Sequence, residues 1–233
     1  MGLIRKVARG AGAVASMLGG GARAAGGAQT MLGYHLARMQ PEEVRRYIQA
    51  KPRLDPELMS DARLYPDRDA MLEALPKGGT VGEIGSDTGH FSIRIAETCR
   101  PDALHLFDIE FGPLREDELR KALGDTPLHK HLGDSSASVG AFPPKSFDWF
   151  YIDGDHGYDG VVRDLAAADA ALKPGGYFMC NDYTVWAPME AQPYGVPRAI
   201  NEFIMRRRYR IVGYAFHFAG HDDILLQKPH DAD

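Results

Sequence analysis

The sequence predicts an α/β fold: a doubly wound, mostly parallel sheet with helices on both faces and an antiparallel C-terminal hairpin. Three observations lead there. Short apolar runs alternate with amphipathic helical patterns at intervals of about 25 residues between Gly78 and Asp182, the rhythm of βαβ units. The runs end in acids: Glu83 near the first, Asp108 and Glu110 at the second, Asp134 at the third, Asp153 at the fourth and Asn181-Asp182 at the fifth. Two further strand-like runs, separated by Gly220-His221-Asp222, follow one last helix and read as the hairpin.

Each element has its own signal. Residues 41–50 (PEEVRRYIQA) carry Pro at a helix start and acids in the first turn, which suits the helix dipole. Residues 67–75 (DRDAMLEAL) read as a short helix capped by Asp67. GGTVGEIG (78–85) is a short buried strand, and 88–100 is a helix with apolar residues at Phe91, Ile93, Ile95 and Ala96. Strand ALHLFDIE (103–110), helix REDELRKAL (115–123) and the weaker strand PLHKHLGD (127–134) continue the pattern. SFDWFYID (146–153) is a strong strand, 158–172 a helix, and GGYFMCND (175–182) a strand after a Lys-Pro-Gly-Gly turn. Helix 197–208 and strands 209–219 and 222–228 complete the set.

Composition narrows the function classes. With 44% hydrophobic and 25% charged residues the chain is an ordinary globular one, and its net charge is −5. The first 40 residues hold Arg5, Lys6, Arg9, Arg23 and Arg38 and no acid, which leaves 22 basic against 32 acidic residues in the body. A body at −10 is a poor partner for nucleic acid, whose phosphates need a positive face. Residues 1–40, rich in Gly and Ala, read as a basic mobile tail with room for weak association with an anionic surface; residues 41–233 form the domain. No apolar run approaches the ~20 residues that span a bilayer. Cys99 and Cys180 are far apart within apolar runs, which suits buried thiols in a reducing, cytoplasmic setting. A homo-oligomer is compatible with all of this.

The turn EIGSDTG joins the first strand to its helix. Gly85 admits a close ligand and Gly89 a close helix start, but the spacing is Gly-x-x-x-Gly, so the dinucleotide fingerprint is absent. Asp108, 23 positions beyond Gly85, is placed to accept from ribose hydroxyls.

Taken together, VGEIGSDTGHFS, LFDIE, LGDSS, YIDGDHGY and LKPGGYFMCNDY resemble the class I S-adenosylmethionine-dependent methyltransferases. The branch most similar is that of small-molecule O-methyltransferases of the catechol and macrolide-sugar type, over about Asp67 to Lys228. The resemblance implies a Rossmann-like methyltransferase fold of seven strands with the last antiparallel. It implies that Glu83, Gly85, Ser86, Gly89 and Ser92 hold the methionine part of the cofactor, Asp108 the ribose, and Asp134 with Ser135 the adenine edge. For the last pair the alternative is a helix cap.

In metal-dependent members a carboxylate ends the fourth strand and an acid/amide pair the fifth. Asp153 and Asn181-Asp182 stand there, the pair in the reverse order of the catechol pattern, and would hold Mg²⁺ or another divalent cation. The alternative is that Asp182 caps a turn and Asp153 only meets the cofactor. His156, where such enzymes keep a basic residue, is the candidate general base. Tyr183, Trp186, Tyr194 and Arg198 fall in the segment that would shape the acceptor pocket, and Arg206 to Arg210 read as a solvated helix end.

The expectation is therefore a methyltransferase that moves a methyl group from S-adenosylmethionine to a small-molecule hydroxyl with the help of a metal. Its rivals are a metal-independent enzyme acting on N or carboxyl acceptors, a non-catalytic cofactor-binding module and a nicotinamide-dependent oxidoreductase.

Overall fold

The computed structural model describes residues 53–187 and 192–231. The tail 1–40 and the helix expected at 41–50 lie outside the described residues. Residues Ala50–Val185 and Tyr194–Asp233 make one compact unit. The second unit is represented among the described residues by a small antiparallel pair, which becomes β7 and β8 below.

A 3-10 turn at Pro56–Met59 leads into β1 (Arg63–Tyr65) and α1 (Arg68–Glu73). As expected, Asp67 caps α1, its carboxylate accepting from the Ala70 N–H. Then come β2 (Thr80–Ile84), α2 (His90–Cys99), β3 (Ala103–Asp108), α3 (Glu116–Leu123), β4 (Leu128–Leu132), α4 (Ser135–Gly140) and β5 (Phe147–Ile152). They are followed by α5 (Tyr158–Ala171), β6 (Leu172–Cys180), β7 (Trp186–Ala187), β8 (Gln192–Pro193), α6 (Val196–Arg207), β9 (Arg210–Ala215) and β10 (Asp223–Gln227).

The main sheet runs β1-β9-β10-β6-β5-β2-β3-β4. Every pairing is parallel except the two made by β10. The doubly wound, mostly parallel fold with its antiparallel hairpin is thus observed. The sheet has eight strands where the resemblance implied seven, because the three-residue β1 adds itself to β9. A second difference lies at Lys173-Pro174-Gly175-Gly176, which belongs to β6 and not to a free turn. Gly175 takes a positive φ of 74° there, and the β5–β6 register shifts between Phe147 and Trp149.

The core forms on both faces of the sheet. On one, Leu104, Leu106, Trp149, Tyr151 and Met179 pack with Ile95, Ala96 and Cys99 of α2 and Leu119 of α3. The other carries Phe107, Phe147, Phe150 and Phe178, in contact as a chain of rings. Each fully buried side chain of this size contributes about 1.5–3 kcal/mol, so the central strands hold the crevice rigidly from below. Both cysteines are buried and free, and burial raises the Cys99 thiol to about 11. No helix among the described residues is long and apolar enough to cross a membrane.

Candidate active site

The ladder hydrogen bonds carry on past the ends of the central strands and line up their carboxyl termini. Gly85 N–H donates to Phe107 O (2.9 Å), Asp153 N–H to Ile84 O (2.8 Å), Asn181 N–H to Ile152 O (3.0 Å) and Gly133 N–H to Asp108 O (2.8 Å). The five expected strand ends therefore form one row along one edge of the sheet, where open α/β folds bind ligands.

The glycine turn is built around Asp108. Its Oδ2 accepts from Ser86 N–H (2.7 Å), Ser86 Oγ (3.0 Å) and Asp87 N–H (3.1 Å), and its Oδ1 from Glu110 N–H (3.2 Å). With three donors already on Oδ2, a ribose hydroxyl would be received chiefly by Oδ1. Gly85 has φ +81°, and a Cβ there would stand 2.1 Å from the Asp153 carbonyl oxygen, so only glycine lets the turn lie against the end of β5. Gly89, also left-handed, opens α2.

Behind the turn, Glu83 is 1% exposed and Ser92 fully buried. Burial raises the Glu83 carboxyl to about 8. Ser92 opposes that rise, while Asp153 and Asp108 add to it. Neither Glu83 Oε2 nor Ser92 Oγ completes a hydrogen bond of good geometry. An orphaned buried carboxylate costs free energy unless a donor or cation reaches it. S-adenosylmethionine, with its ammonium and sulfonium charges, fits a pocket that has this carboxylate beneath it and a side-chain-free turn above.

At the end of β4 the capping alternative is realised: Asp134 Oδ1 accepts from Ala137 N–H (2.9 Å) and Ser136 Oγ (2.5 Å), and α4 starts there. These bonds hold the Asp134 carboxyl below its usual range. Ser135 Oγ is turned to Asp164 Oδ1 (2.5 Å).

Beyond Gly85 the acids gather. One ligand atom each from Asp153, His156 and Asp182 lies within 4.8 Å of the others, the one such group of three among the described residues. His156 Nε2 is 3.1 Å from Asp182 Oδ2 and 3.4 Å from Asp153 Oδ1. Its ring stacks on Tyr194 with centroids 4.3 Å apart. Asp182 is a non-glycine residue at φ +56° and is 5% exposed. That left-handed turn is tolerated best by Asp, Asn and Gly, and strain of this kind collects at working sites. Burial, and then Asp153, raises the Asp182 carboxyl. Asn181, expected alongside these acids, is engaged elsewhere: its Oδ1 accepts from Arg68 Nη2 at 2.5 Å.

Four participants, Arg68, Tyr151, His221 and Asp223, escaped the sequence reading. Arg68, from α1, also reaches Asp223 Oδ2 (3.2 Å) and the Tyr151 hydroxyl (3.2 Å), and Tyr151 in turn donates to Asp153 Oδ2 (3.3 Å). Asp223 is fully buried at the start of β10, and burial raises it to about 8 against the pull of Arg68. His221 Nδ1 lies 2.7 Å from Asp182 Oδ1. A faint signal existed for three of them. Arg68 is a cation in a helix's first turn, where acids are favoured. His221 and Asp223 sit in the hairpin connection and at the head of an apolar strand. Of the residues expected around the acceptor, Tyr183 donates to Asn201 Oδ1 (2.6 Å) and Arg198 pairs with Glu202 (2.9 Å). Arg207, Arg208 and Arg210 are in ion pairs with Asp169, Asp55 and Asp61.

Comparison with known proteins bears on the fold that carries this crevice. Residues 83–183 match the family described as a methyltransferase domain. A structure of an S-adenosylmethionine-dependent methyltransferase from Methanosarcina mazei aligns with 69% of this chain and 97% of its own, at 13% identity and a TM-score of 0.50. The B. subtilis M1A22 tRNA methyltransferase TrmK aligns over 72% of this chain and 68% of its own, at 16% identity and a TM-score of 0.52. M. capricolum TrmK, in complex with S-adenosylhomocysteine, aligns over 70% and 68%, at 13% identity and a TM-score of 0.52. No curated protein is a significant match. Identities this low speak for the fold alone, which is the Rossmann-like methyltransferase fold. The matched segment, less than half of the chain, runs from Glu83 to Tyr183 and takes in the Gly85 turn, Asp108 and the Asp153, His156 and Asp182 group; on this fold it supports a class I methyltransferase.

Proposed function

We propose that this protein transfers a methyl group from S-adenosylmethionine to a hydroxyl of a small molecule, with a divalent cation held by Asp153, His156 and Asp182. One observation carries the reading: the Asp153 group adjoins the Gly85–Asp108 turn so closely that no side chain fits between their backbones. When bound, S-adenosylmethionine supplies a methyl group already activated on sulfur. Glu83 and Ser92 would hold its charged methionine end, and Asp108 would receive a ribose hydroxyl. Asp134 keeps Oδ2 for the adenine edge, since both of its capping bonds fall on Oδ1.

A divalent cation would supply Lewis acidity toward the acceptor hydroxyl. The two carboxylates and the imidazole suit such an ion, Asp153 and Asp182 as hard oxygen donors and His156 through Nε2. Arg68 keeps Asn181 out of that set and, through Tyr151, steadies the second oxygen of Asp153. His221 steadies Asp182 from the other side. The acidic body favours a small acceptor over a polyanionic one.

A second reading is favoured by the 3.1 Å approach of His156 to Asp182. With no cation, the imidazole itself takes the hydroxyl proton, oriented by its flanking carboxylates. The oxygen so deprotonated would be the nucleophile toward the methyl group that S-adenosylmethionine would supply.

Calorimetric titration with S-adenosylhomocysteine tests the cofactor assignment: binding in the micromolar range supports it, and none refutes it. Turnover with a panel of hydroxyl acceptors, with and without EDTA and with Mg²⁺ restored, separates the two readings. Loss and recovery supports the cation, and indifference to EDTA supports His156 acting alone.

A further inference from the structure

Behind the start of α4 stands a buried carboxyl for which the proposed transfer has no use. Asp164 lies in α5 and is 4% exposed. Its Oδ1 accepts from Ser135 Oγ at 2.5 Å. Its Oδ2 lies against the turn that follows β5, where a Cβ built on Gly154 would stand 3.2 Å from that oxygen and 3.1 Å from Ile84 Cγ2. The Asp164 side chain is thus wedged between the Asp153-Gly154 turn and the first residue of α4. Burial raises its carboxyl, the bond from Ser135 opposes that rise, and Asp134 and Asp155 add to it.

The bond to Asp164 decides what Ser135 can offer the crevice. A serine hydroxyl has one hydrogen to donate and lone pairs with which to accept. Ser135 commits its hydrogen to Asp164, so toward any further partner it can only accept. Asp134 beside it is a carboxylate whose Oδ1 already receives Ala137 N–H and Ser136 Oγ, which leaves Oδ2, again an acceptor. These two side chains therefore present acceptors and no donor. The exocyclic amino group of adenine, which donates, matches them. An oxopurine such as hypoxanthine would set a carbonyl oxygen against them, with no hydrogen between the facing oxygens.

We propose that Asp164 is a positioning residue that holds Ser135 Oγ as an acceptor, so that the cofactor site takes an aminopurine and rejects an oxopurine. The inference rests on the methyltransferase reading, with Asp134 and Ser135 at the adenine edge.

Calorimetric titration of the full chain with S-adenosylhomocysteine and with S-inosylhomocysteine tests it. The parent should bind the adenosyl compound about tenfold or more tighter, because a site built around hydrogen bonds rejects a ligand that leaves them unpaired. Asp164→Leu frees the Ser135 hydroxyl to turn and donate. It should bring the two affinities to within about threefold of each other, with S-inosylhomocysteine binding more tightly than it does to the parent. A purely structural role for Asp164 predicts no such gain, only a loss common to both compounds. Ser135→Ala should weaken adenosyl binding alone, and in that background Asp164→Leu should leave the ratio unmoved. The melting temperature of each ligand-free variant checks its fold, and if Asp164→Leu does not fold, Ser135→Ala decides. Equal affinities in the parent, an unchanged ratio in Asp164→Leu or in Ser135→Ala, or a ratio that Asp164→Leu still shifts in the Ser135→Ala background overturns the proposal and leaves the cofactor reading standing. Failure of the parent to bind S-adenosylhomocysteine overturns both.

Discussion

Gly85→Ala gives a sharp test of how the crevice is built. The position has φ +81°, and left-handed backbone costs a residue with a Cβ about 1–2 kcal/mol. The new methyl would also lie 2.1 Å from Asp153 O, 2.6 Å from Asp153 C and 2.9 Å from Gly154 Cα. All three are backbone atoms at the end of a central strand, so no side chain can swing aside. Overpacking of this kind adds about 1–3 kcal/mol, for a total destabilisation of roughly 2–5 kcal/mol. Gly220→Ala is the control: its φ is +77° and nothing lies within 4 Å of its Cβ position, so only the backbone cost of about 1–2 kcal/mol should remain. Urea unfolding of both variants measures the difference. S-adenosylhomocysteine affinity should fall for Gly85→Ala, because the turn and the end of β5 must part. If the two variants unfold within about 0.5 kcal/mol of each other, the close packing of turn against strand is refuted.

Further predictions concern the buried charges. Arg68→Met should destabilise by about 1–3 kcal/mol, because it leaves the buried Asp223 Oδ2 and Asn181 Oδ1 without their donor; in a double-mutant cycle with Asp223→Leu the combined loss should be smaller than the sum of the two single losses. Glu83 and Asp223 keep their protons to about pH 8 when folded but lose them near pH 4–5 when unfolded. The folded state therefore binds more protons in that window, and stability of the ligand-free protein should fall as pH rises from about 5 to 8 and then level. Glu83→Gln should flatten part of this decline and raise the melting temperature at pH 8, while weakening S-adenosylmethionine binding; a decline as steep as in the parent would count against it. Asp108→Ala removes the acceptor shared by the Ser86 and Asp87 N–H groups and should lower S-adenosylhomocysteine affinity tenfold or more by calorimetry.

The parts of this molecule that were legible in its sequence are those governed by local rules. Alternating strand and helix periods, the Asp67 cap and the acids at the strand ends all express short-range chemistry, and the row from Gly85 to Asp153 came out as read. What escaped depends on pairing distant segments. Arg68 and Asp223 are 155 positions apart and meet only because β10 inserts beside β6. Asn181 and Asp182 are adjacent in sequence, yet the left-handed turn at Asp182 sends one to Arg68 and the other to His156 and His221. The weak run at β4 was recognised as a strand, but the hydrogen bond and ring stacking of its two histidines with His105 follow only from the β3–β4 register.

The position of β10 has a kinetic consequence. It is the last of the eight strands in sequence and lies in the interior of the sheet, with β9 and β1 on its far side. Until residues 223–227 arrive, the nascent sheet is two fragments with bare edges, the state most open to misassembly. Asp223 travels on that same strand, so Arg68 gains its buried acceptor only at the closing step. Completion of the sheet and maturation of the crevice's electrostatics are one event, and a ribosome-bound chain that stops short of Asp223 would have neither.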